Sequence, residues 1–552
     1  MAEPATEPAT TRTERVLKEL AAREAGAGGG GGAGALGTLE ALRRLDGVWG
    51  ELKAGRAWDS QARPDIAQGR PGPAPGPAAF DAVVCGGTLG IFLACALQLK
   101  GLRVAVVERG RVVGRAQDWN ISRKEMEELV AAGILTDAEL EEAISIGWNP
   151  SRVAMHGGLE LGVEDVLNLG VSPAKLVAFA KARFLAAGGA IEEGFQLSAV
   201  TSYDDAVVLG GAGGQALTAR LCVDCMGHGS PIVRQMRWGV KPDGVCLVCG
   251  TMARGFRDNA GGDLIATDGD IEEGKDVQYF WEAFPAADAA DARTTYMFAY
   301  LDAHPSRMSL EAMLEDYWER MPAYQNVDLE DLDVERVLFG WFPTYRASPL
   351  QPGFDRVLQV GDASGIQSPL SFGGFGALTR HLDRLSAGIE EALRADLLDR
   401  RSLGLINAYQ PALSVAWLFQ RAMSVQPGAK TNKAFINTLL TTNFGVMDDL
   451  GVGTLQPFLQ DVIQFVPLTT TMGGMMLRKP LFVFEILAEL GPGPVLDWFF
   501  HYVVLGVYSL LDVAASALRP LVARLPSSAP TRYRWARYAD AWRFGSGRDY
   551  SM

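Results

Sequence analysis

One stretch near residue 80 constrains the fold more than any other part of the chain. An apolar run over 80–85 leads into a glycine-rich turn, and a second apolar run ends at Glu108. Strand, glycine turn, helix and strand form a βαβ unit, whose turn approaches a pyrophosphate and whose helix N-terminus faces the phosphates. The acid after the second strand is placed to accept hydrogen bonds from a ribose. The sequence therefore predicts a dinucleotide site, with Cys85 in the place of the first glycine of the usual pattern.

Composition narrows the classes of partner. The 552 residues carry a formal net charge of −14, and 48% of them are hydrophobic. Because phosphate binding relies on Lys and Arg, this acidic balance argues against nucleic acid as the main partner. The length allows two or three domains, or one large interleaved domain. The best apolar run, 498–511, lies between Asp497 and Asp512 and is predicted to be too short to span a bilayer.

Six cysteines raise the question of a metal site. Two pairs, Cys222 with Cys225 and Cys246 with Cys249, have a spacing that suits a zinc site. Both pairs lie in apolar runs that are typical of strands, where residues i and i+3 point to opposite faces. Buried thiols without a metal are therefore the favoured interpretation. The absence of a disulfide framework fits a reducing compartment.

The chain divides into four parts by composition. Residues 1–77 are predicted to be a low-complexity segment, disordered over 1–35, with a short helix near 39–52 and a proline-rich linker. It lacks the apolar core of a secretory signal and is too acidic for a good transit peptide. Strands and helices alternate over 78–400, with a substrate sheet inserted at about 150–350. Residues 401–525 are helical and a candidate for membrane association, and the tail 526–552 interleaves arginines with aromatic rings, which suits either a membrane interface or a solvated, partly ordered tail.

A second glycine-rich element lies far downstream of the first. An apolar run ends in Gly361 and Asp362, and a Gly-Gly-Phe-Gly sequence at 373–376 leads into a helix. A carboxylate can accept hydrogen bonds from sugar-alcohol hydroxyls, and a helix N-terminus stabilises negative charge. A third run, 222–231, contains Asp224 and Gly227. The two separated nucleotide-binding elements, at Gly90 and at Gly361, fit one extended FAD better than NAD. No separate NADPH domain is evident, so a reductant such as NADPH would bind transiently.

These three elements resemble flavoproteins of the glutathione-reductase type, in particular the branch of aromatic hydroxylases, geranylgeranyl reductases and lycopene cyclases. The runs 115–123, 280–285 and 340–346 are similar to the CruA/CruP type of lycopene cyclases, and the CruP type of cyanobacteria and plastids is the closer match. The resemblance covers roughly residues 40–520. It implies an α/β fold in which a FAD-binding Rossmann domain is interleaved with a β-sheet substrate domain and followed by a helical C-terminal region.

The same resemblance implies a function. It implies FAD, an apolar isoprenoid or carotenoid substrate, peripheral membrane association, and a plastid location at the thylakoid or envelope. The implied reaction is a redox-neutral cyclisation, in which a protonated acid starts closure of an acyclic carotenoid end to a β-ring. Glu282 stands in the place of the acidic motif of such cyclases, with Ala283 after it. Burial among aromatic rings would keep its carboxyl protonated, whereas pairing with an arginine would make it an ordinary strand carboxylate.

The predicted site residues fall into three groups. The predicted cofactor-binding residues are Gly86, Gly87, Thr88, Leu89, Gly90, Glu108, Arg109, Arg115, Asp224, Gly227, Gly361, Asp362, Gly373, Gly374, Phe375 and Gly376. The predicted substrate-lining residues are Trp119, Trp281, Phe284, Trp341 and Tyr345, and the predicted catalytic acid is Glu282.

Two other functions fit the same patterns. A flavin monooxygenase or a geranylgeranyl-type isoprenoid reductase would use the same fold, and fold alone does not decide between chemistries. A catalytically inactive protein that binds carotenoid or flavin and regulates flux is the third alternative. The sequence leaves the substrate end group, the electron donor and the oligomeric state open.

Overall fold

The computed structural model describes residues 11–26, 38–55, 65–287, 289–526 and 530–550. The strands are β1 Ala67–Gly69, β2 Phe80–Cys85, β3 Val104–Glu108, β4 Trp119–Ile121, β5 Ile144–Gly147, β6 Ser151–Ala154, β7 Glu160–Val163, β8 Leu169–Val171, β9 Ala190–Glu193, β10 Leu197–Ser202, β11 Val207–Gly211, β12 Ala216–Asp224, β13 Gly244–Arg254, β14 Gly262–Ala266, β15 Phe280–Pro285, β16 Arg293–Leu301, β17 Asp333–Thr344 and β18 Val357–Gln359.

The α-helices follow the same order. They are α1 Arg12–Gly26, α2 Leu39–Ala54, α3 Gly90–Leu99, α4 Arg123–Ala131, α5 Asp137–Ala143, α6 Pro173–Ala186, α7 Pro231–Met236, α8 Leu310–Gln325, α9 Gly374–Ala395, α10 Arg400–Gly404, α11 Pro411–Ala422, α12 Phe435–Leu450, α13 Val452–Leu459, α14 Phe465–Arg478, α15 Phe482–Leu490, α16 Pro492–Val522 and α17 Pro530–Gly545.

The first sheet contains the predicted βαβ unit. Its strand order is β1-β10-β11-β12-β2-β3-β9, and β18 pairs with β12. β2, β3, β9, β12 and β18 run parallel, and β10–β12 form an antiparallel meander. Continuous apolar runs make the central strands because helices cover one face and a second apolar cluster covers the other. Helices α3, α6 and α9 form the first of these layers. The predicted α/β Rossmann-type architecture is therefore confirmed.

The second sheet is the predicted inserted one. Its order is β17-β13-β16-β15-β14-β6-β7, and its strands come from 151–163 and 244–344. The interval predicted as about 150–350 also contains β9–β12 of the first sheet, so the two parts interleave more finely than the sequence indicated. One face packs against α1, α2 and α8, and the other packs against α11 and α12. A small sheet, β4-β8-β5, lies beside them.

The N-terminal segment differs from its prediction. Residues 12–26, expected to be disordered, form α1, whose Leu17 is 1% exposed against α8. The Thr13 backbone N–H donates to Glu315 at 2.8 Å and fixes the helix start there. The helix was not predicted because its mean hydropathy is low, and only a single stripe of apolar residues contacts α8. The glycine run at 28–32 lies outside the described residues.

The C-terminal region is helical as predicted but longer and more ordered. The apolar run 498–511 lies within α16, which has 31 residues and is long and apolar enough to cross a membrane by length and composition. The apolar run was predicted to be too short to span a bilayer because Asp497 and Asp512 bound it, but the helix includes both residues and continues to Val522. The C-terminal tail, for which a solvated, partly ordered state was one alternative, packs against the rest of the protein. In α17, Tyr533 is buried and donates its hydroxyl to the Ser402 carbonyl at 2.8 Å, and Arg537 is buried against Glu391.

The packing of α2 on the second sheet gives a stability prediction. Trp49 is fully buried and its indole N–H donates to the Met308 carbonyl at 2.8 Å. Trp49→Ala leaves a large cavity and removes one of the two hydrogen bonds to the Met308 carbonyl, so we expect it to lower the free energy of unfolding by about 3–5 kcal/mol in urea denaturation. Val48→Ala is the control, because Val48 is 44% exposed and its loss should change stability by less than about 0.5 kcal/mol. Equal effects of both variants would contradict the packing of α2.

Candidate functional site

The glycine turn after β2 has the close contacts that only glycine permits. Gly86 has a φ of +99°, and a Cβ there would lie 2.6 Å from the Cys225 carbonyl oxygen. A Cβ on Gly90 would lie 2.8 Å from a Val84 methyl group, so α3 can approach its strand only with glycine at this place. The turn therefore has the tight geometry that the sequence predicted, with Thr88 and Leu89 at the start of the helix.

Glu108 lies beside this turn, as predicted. Its carboxylate accepts the backbone N–H groups of Gly87 at 2.8 Å and Gly110 at 2.9 Å. The acid thus holds the turn and the loop after β3 together. Arg109, the next residue, is exposed.

Cys85 has a structural role. It is fully buried at the end of β2, and its Sγ lies 3.8 Å from Cys222 Sγ on the neighbouring strand. The hydrogen bond with the Cys222 thiol and burial raise the pKa of Cys85, so it is a neutral packing group. Cys222 lies on β12 of the first sheet and Cys225 in the loop after it, whereas Cys246 and Cys249 lie on β13 of the second sheet. No cluster of metal ligands is found among the described residues.

The loop after β12 closes against the glycine turn. The Asp224 carboxylate is fully buried and accepts the Ser230 hydroxyl at 2.6 Å and the Met226 backbone N–H at 3.1 Å. Burial raises the pKa of Asp224 to about 6, and both hydrogen bonds oppose that shift. Asp224 therefore shapes the loop from inside, while Gly227, at a φ of +70°, turns it over the strand ends.

Asp362 is the clearest candidate for a ligand contact in this region. It follows Gly361, whose φ is +64°, at the end of β18. A Cβ on Gly374 would overlap the Asp362 carboxylate, so the start of α9 packs directly onto this acid. Burial raises the pKa of Asp362. Its Oδ1 atom is buried and has no hydrogen-bond partner within the described part of the chain. Buried acceptors are usually hydrogen-bonded, so this oxygen is a candidate acceptor for a donor on a ligand.

The start of α9 is lined by aromatic and charged side chains. Phe375 packs against Trp119 at 4.6 Å between ring centroids, and the Arg115 guanidinium lies 5.7 Å from the Trp119 ring. Gly373 caps the helix, and a Cβ on Gly376 would lie 2.8 Å from Glu125. The predicted residues Trp119, Arg115 and 373–376 therefore lie together.

Glu282 lies on the face of the second sheet that is turned towards these residues. It is partly buried on β15, opposite Tyr296 on β16, and accepts a hydrogen bond on Oε1 from the Asn120 side-chain amide. Burial raises its pKa from 4.5 to about 7, and the hydrogen bond from Asn120 opposes the shift. No ion pair of Glu282 exists among the described residues, so the alternative of an arginine-paired strand carboxylate does not hold.

Aromatic rings flank Glu282 on its own face of the sheet. Phe280 and Phe284, two residues away on either side, share this face, because side chains alternate along a strand. Phe280 stacks on Phe298 at 5.5 Å, and Phe284 stacks on Trp148 at 5.3 Å. Aromatic rings therefore flank the acid on its own face of the sheet, and Phe284 is one of them.

Two predicted substrate residues lie on the opposite face. Trp281 is fully buried and stacks on Tyr324 of α8 at 4.4 Å, and Trp341 contacts Trp49 of α2 at 6.0 Å. Both predictions were wrong for the same reason, since the period of two along β15 and β17 turns every second side chain away from the site. Phe342, the neighbour of Trp341, faces the site side instead. Tyr345 lines a cleft that Asp362 also lines.

Some site residues were missed from sequence. Asn120 and Tyr296 gave no local signal, because only the pairing of β15 with β16 and the position of β4 bring them to Glu282. Glu125 could have been found, since Ser122 and Glu125 form a capping box at the start of α4. Burial raises the pKa of Glu125 to about 7, so a second carboxyl that can hold a proton near neutral pH lies near the start of α9.

The raised pKa of Glu282 predicts a pH dependence of stability. An unfolded glutamate loses its proton near pH 4.5, whereas the folded protein retains it until about pH 7. The folded state therefore binds more protons between these values, and its stability falls as the pH rises through this window. We expect Glu282→Gln to be more stable than the original chain at pH 8, by up to about 3 kcal/mol, and to lose most of this advantage at pH 5.

Urea denaturation at both pH values measures this difference. Glu127→Gln is the control, because Glu127 is exposed on α4 and its replacement should have a small effect that does not change with pH. A pH-independent effect of Glu282→Gln would show that the Glu282 carboxyl is ionised in the folded protein.

Comparisons with known proteins identify the fold. No protein-family model and no curated protein sequence matches the chain. A solved structure of a geranylgeranyl bacteriochlorophyll reductase-like protein from Thermoplasma acidophilum is similar, with 12% identity, 77% of this chain and 99% of the other covered, and a TM-score of 0.53. The halogenase PltM in complex with phloroglucinol and FAD is similar with 13% identity, 85% and 98% coverage, and a TM-score of 0.51. The chain thus has the fold of FAD-binding Rossmann-type flavoenzymes, with a helical C-terminal region.

Proposed function

We propose that this protein is an FAD-dependent enzyme that acts on a carbon–carbon double bond of a long apolar isoprenoid, with reduction as the first candidate reaction. The observation that carries the proposal is the position of Glu282 on an aromatic face of the second sheet beside the start of α9, where burial raises its pKa to about 7 and lets it hold a proton near neutral pH. Saturating an isolated double bond requires a proton donor in an apolar site, and this carboxyl has that property.

The residues at the strand ends fit FAD. Glu108 is placed for the ribose of the adenosine half, the glycine turn for the pyrophosphate, and the unpartnered Oδ1 of Asp362 for a ribityl hydroxyl. The start of α9 offers its backbone N–H groups and positive dipole to the ring edge that becomes negative on reduction. The bound flavin would supply the hydride. Solved structures of this fold include FAD complexes, which agrees with this assignment.

The side chains around Glu282 prepare the carboxyl for proton transfer. The Asn120 amide donates to Oε1, which leaves Oε2 to carry the proton. Trp119, the neighbour of Asn120 on β4, packs on Phe375 at the start of α9. A continuous set of contacts therefore connects the proposed acid with the proposed flavin site, and a displacement of α9 would also displace the acid's partner.

The aromatic rings would bind the substrate. Phe280, Phe298 and Tyr300 form one group of stacked or edge-on rings, and Phe342 and Phe372 extend it towards the loop at 366–372. Such a surface offers apolar contact to an isoprenoid and excludes water from the carboxyl. Ring faces also stabilise a positive charge that develops when an alkene is protonated. The similarity to a geranylgeranyl reductase-like structure favours reduction as the first candidate.

Cyclisation of a lycopene-type end is the second candidate. Glu282 would protonate the terminal double bond, the resulting cation would close the ring, and a proton would leave, with no net consumption of electrons. The same neutral carboxyl among aromatic rings supports this reaction, as does the resemblance to lycopene cyclases. A monooxygenase would instead consume oxygen and reductant, and an inactive carotenoid-binding regulator would bind pigment without turnover.

Turnover assays separate these candidates. The purified protein is incubated under anaerobic conditions with reduced flavin and either lycopene or a geranylgeranyl substrate, and products are resolved by chromatography while the flavin spectrum is recorded. A reductase oxidises one flavin per saturated bond, whereas a cyclase forms β-rings without flavin oxidation. We expect Glu282→Gln to lower either turnover by about 100-fold or more and to leave the flavin spectrum intact.

Glu127→Gln serves again as the matched loss of one carboxylate and should retain full turnover. Unchanged turnover in Glu282→Gln would rule out the proposed acid. A protein that carries no flavin when purified, and binds none when FAD is added, would overturn the proposed function as a whole.

We further propose peripheral membrane association through the C-terminal helices. Apolar side chains on α14, α15, α16 and their connections are exposed to an unusual degree: Val466, Met476, Leu477, Leu481, Phe484, Leu496, Phe499, Phe500, Val503, Val507, Leu510, Val513, Leu518 and Leu521. A contiguous apolar surface of this extent marks an interaction site. The opposite side of α16 packs on α11 and α17, and Asp512 pairs there with Arg548 at 3.0 Å. Because this ion pair joins the side of α16 that packs against protein to the segment after α17, we infer that α16 lies on a bilayer with its exposed apolar side towards the lipid.

Charge favours a lipid surface as the occupant. Residues 465–550 contain nine Arg or Lys against six Asp or Glu, whereas the whole chain has a net charge of −14. Lys479 adjoins the exposed Leu477 and Leu481 and is placed to meet anionic headgroups, whereas Arg478 pairs with Asp449. The apolar cluster that contains Phe280 also contains Phe482 and Leu490, so apolar packing is continuous from α15 to the strand that carries Glu282.

A liposome assay tests this surface. Leu477→Asp combined with Leu481→Asp replaces two side chains that are 86% and 77% exposed. Because burying each leucine in lipid is worth about 1.5–3 kcal/mol, we expect at least a roughly 10-fold loss of cosedimentation with anionic vesicles. Leu185→Asp, on the distant helix α6 and 46% exposed, should bind like the original chain. Equal binding by all variants would contradict the proposed surface, and a change from dimer to monomer on substitution would identify a second copy as the occupant.

A further inference from the structure

The face of the second sheet that carries Glu282 is only partly covered. Helices α11 and α12 pack on the row that contains Cys246 and Tyr300, and both of these side chains are buried. The next rows continue the same face, because directly opposite residues of paired strands share a face. Val248 on β13 and Leu338 on β17 lie in these rows, are partly exposed, and belong to no apolar cluster among the described residues. An uncovered strip therefore runs across the strands beside Glu282.

Two rows of directly opposed residues on β15, β16, β13 and β17 form this strip. The first row is Glu282, Tyr296, Gly250 and Leu338, and the second row is Phe280, Phe298, Val248 and Gly340. These described residues include no charged side chain other than Glu282, and burial raises the pKa of that carboxyl to about 7. Burial also raises the pKa of Tyr296 to about 12, so its phenol is neutral. The strip therefore suits an uncharged apolar ligand.

Glycines keep the middle of the strip low. The Tyr296 ring lies against Gly250, since a Cβ there would lie 2.9 Å from Tyr296 Cδ1. Gly340 has a different environment, because a Cβ there would meet only a Val248 methyl group at 3.9 Å, and its φ lies outside the left-handed region. Neither a described neighbour nor the backbone conformation thus requires glycine at this position. Glycine weakens the interior of a strand and often marks a place where a ligand comes close.

The dimensions of the strip set the shape of its ligand. β15 and β17 are the outer two of four adjacent strands, and Gly340 is offset from Glu282 by one step of the strand repeat. With about 4.8 Å between strands and about 3.3 Å per residue, Gly340 lies about 16 Å from Glu282. A linear chain of several isoprene units with its reacting end at Glu282 covers this distance, whereas a compact aromatic molecule does not.

We propose that this strip binds the chain of a linear apolar substrate, and that Gly340 is the residue that admits a long chain. The reacting double bond lies at Glu282, and the chain crosses Tyr296 and Gly250 to lie over Gly340, where the missing side chain leaves room for it. The inference rests on the proposed function, and it adds the direction of the chain and the residue that limits its length. A side chain at position 340 would project into the path of a long chain without touching a short one.

Binding measurements with two chain lengths test this assignment. The FAD-loaded protein is titrated calorimetrically, at a fixed detergent concentration, with geranylgeraniol and with geraniol, whose chain is half as long, and the FAD content per chain is recorded. We expect Gly340→Val to weaken binding of geranylgeraniol about 10-fold or more and to leave geraniol binding and the FAD content unchanged. Gly210→Val is the matched control, because Gly210 lies on β11 of the first sheet and a Cβ there meets only ordinary contacts of 3.5 Å or more.

Each outcome supports or overturns the proposal. Unchanged affinity of Gly340→Val for geranylgeraniol overturns it, as does an equal loss of affinity for geraniol. Loss of FAD in this variant assigns the strip to the flavin and also overturns it. If Gly340→Val does not fold, Leu338→Gln makes the strip polar at a similar side-chain size and should weaken binding of geranylgeraniol several-fold but not that of geraniol. A failure of the proposed function appears separately, as an original chain that binds geranylgeraniol but forms no product in the turnover assay.

Discussion

The register of β12 between two parallel neighbours is the constraint on which the site depends. Asp224, the last residue of β12, pairs with Cys85 at the end of β2 and with Gln359 at the end of β18. This one alignment brings the glycine turn, the loop at 226–230 and the Gly361–Asp362 corner to the same edge of the sheet. Parallel strands place all their carboxyl ends at one edge, and ligands of open α/β sheets bind there. A shift of β12 by one residue would separate all three elements.

Burial of carboxyl groups is the second common feature. Asp224, Asp362, Glu125 and Glu282 all have raised pKa values because the surrounding apolar packing disfavours their charge. Asp224 offsets this cost by hydrogen bonds within its own loop, whereas Asp362 keeps an unpartnered oxygen and Glu282 has a single amide donor. The free energy of unfolding is therefore lower than it would be with paired or apolar groups in these places. Carboxyls of this kind are concentrated where a ligand and a proton donor would be needed.

The sequence predicted the parts of the site that depend on local chemistry. The glycine turn, Glu108, Asp362 and the start of α9 follow from turn geometry and helix capping, which act over a few residues. The faces of β15 and β17 were harder to predict. In the sequence, Trp281 and Trp341 are aromatic neighbours of the site in the same way as Phe284 and Tyr345. Strand alternation turns Trp281 towards α8 and Trp341 towards α2. Helix α1 was missed because its stability comes from contact with α8, about 300 residues away.

The sequence by itself determined the α/β fold, the interleaving of two sheets and the three strand-end elements, because glycines with special φ values and continuous apolar strands leave few alternatives. Only the tertiary structure decided which side chains share a face and which polar atoms stay without partners. Asn120 donates a hydrogen bond to Glu282, and Arg237, Gln367 and Trp417 line one cleft. In both cases the residues come from segments more than a hundred residues apart in sequence. Burial also sets the pKa of Glu282, and burial is a property of the packed molecule. The chemistry of the site therefore depends on long-range packing, whereas its framework depends on local sequence.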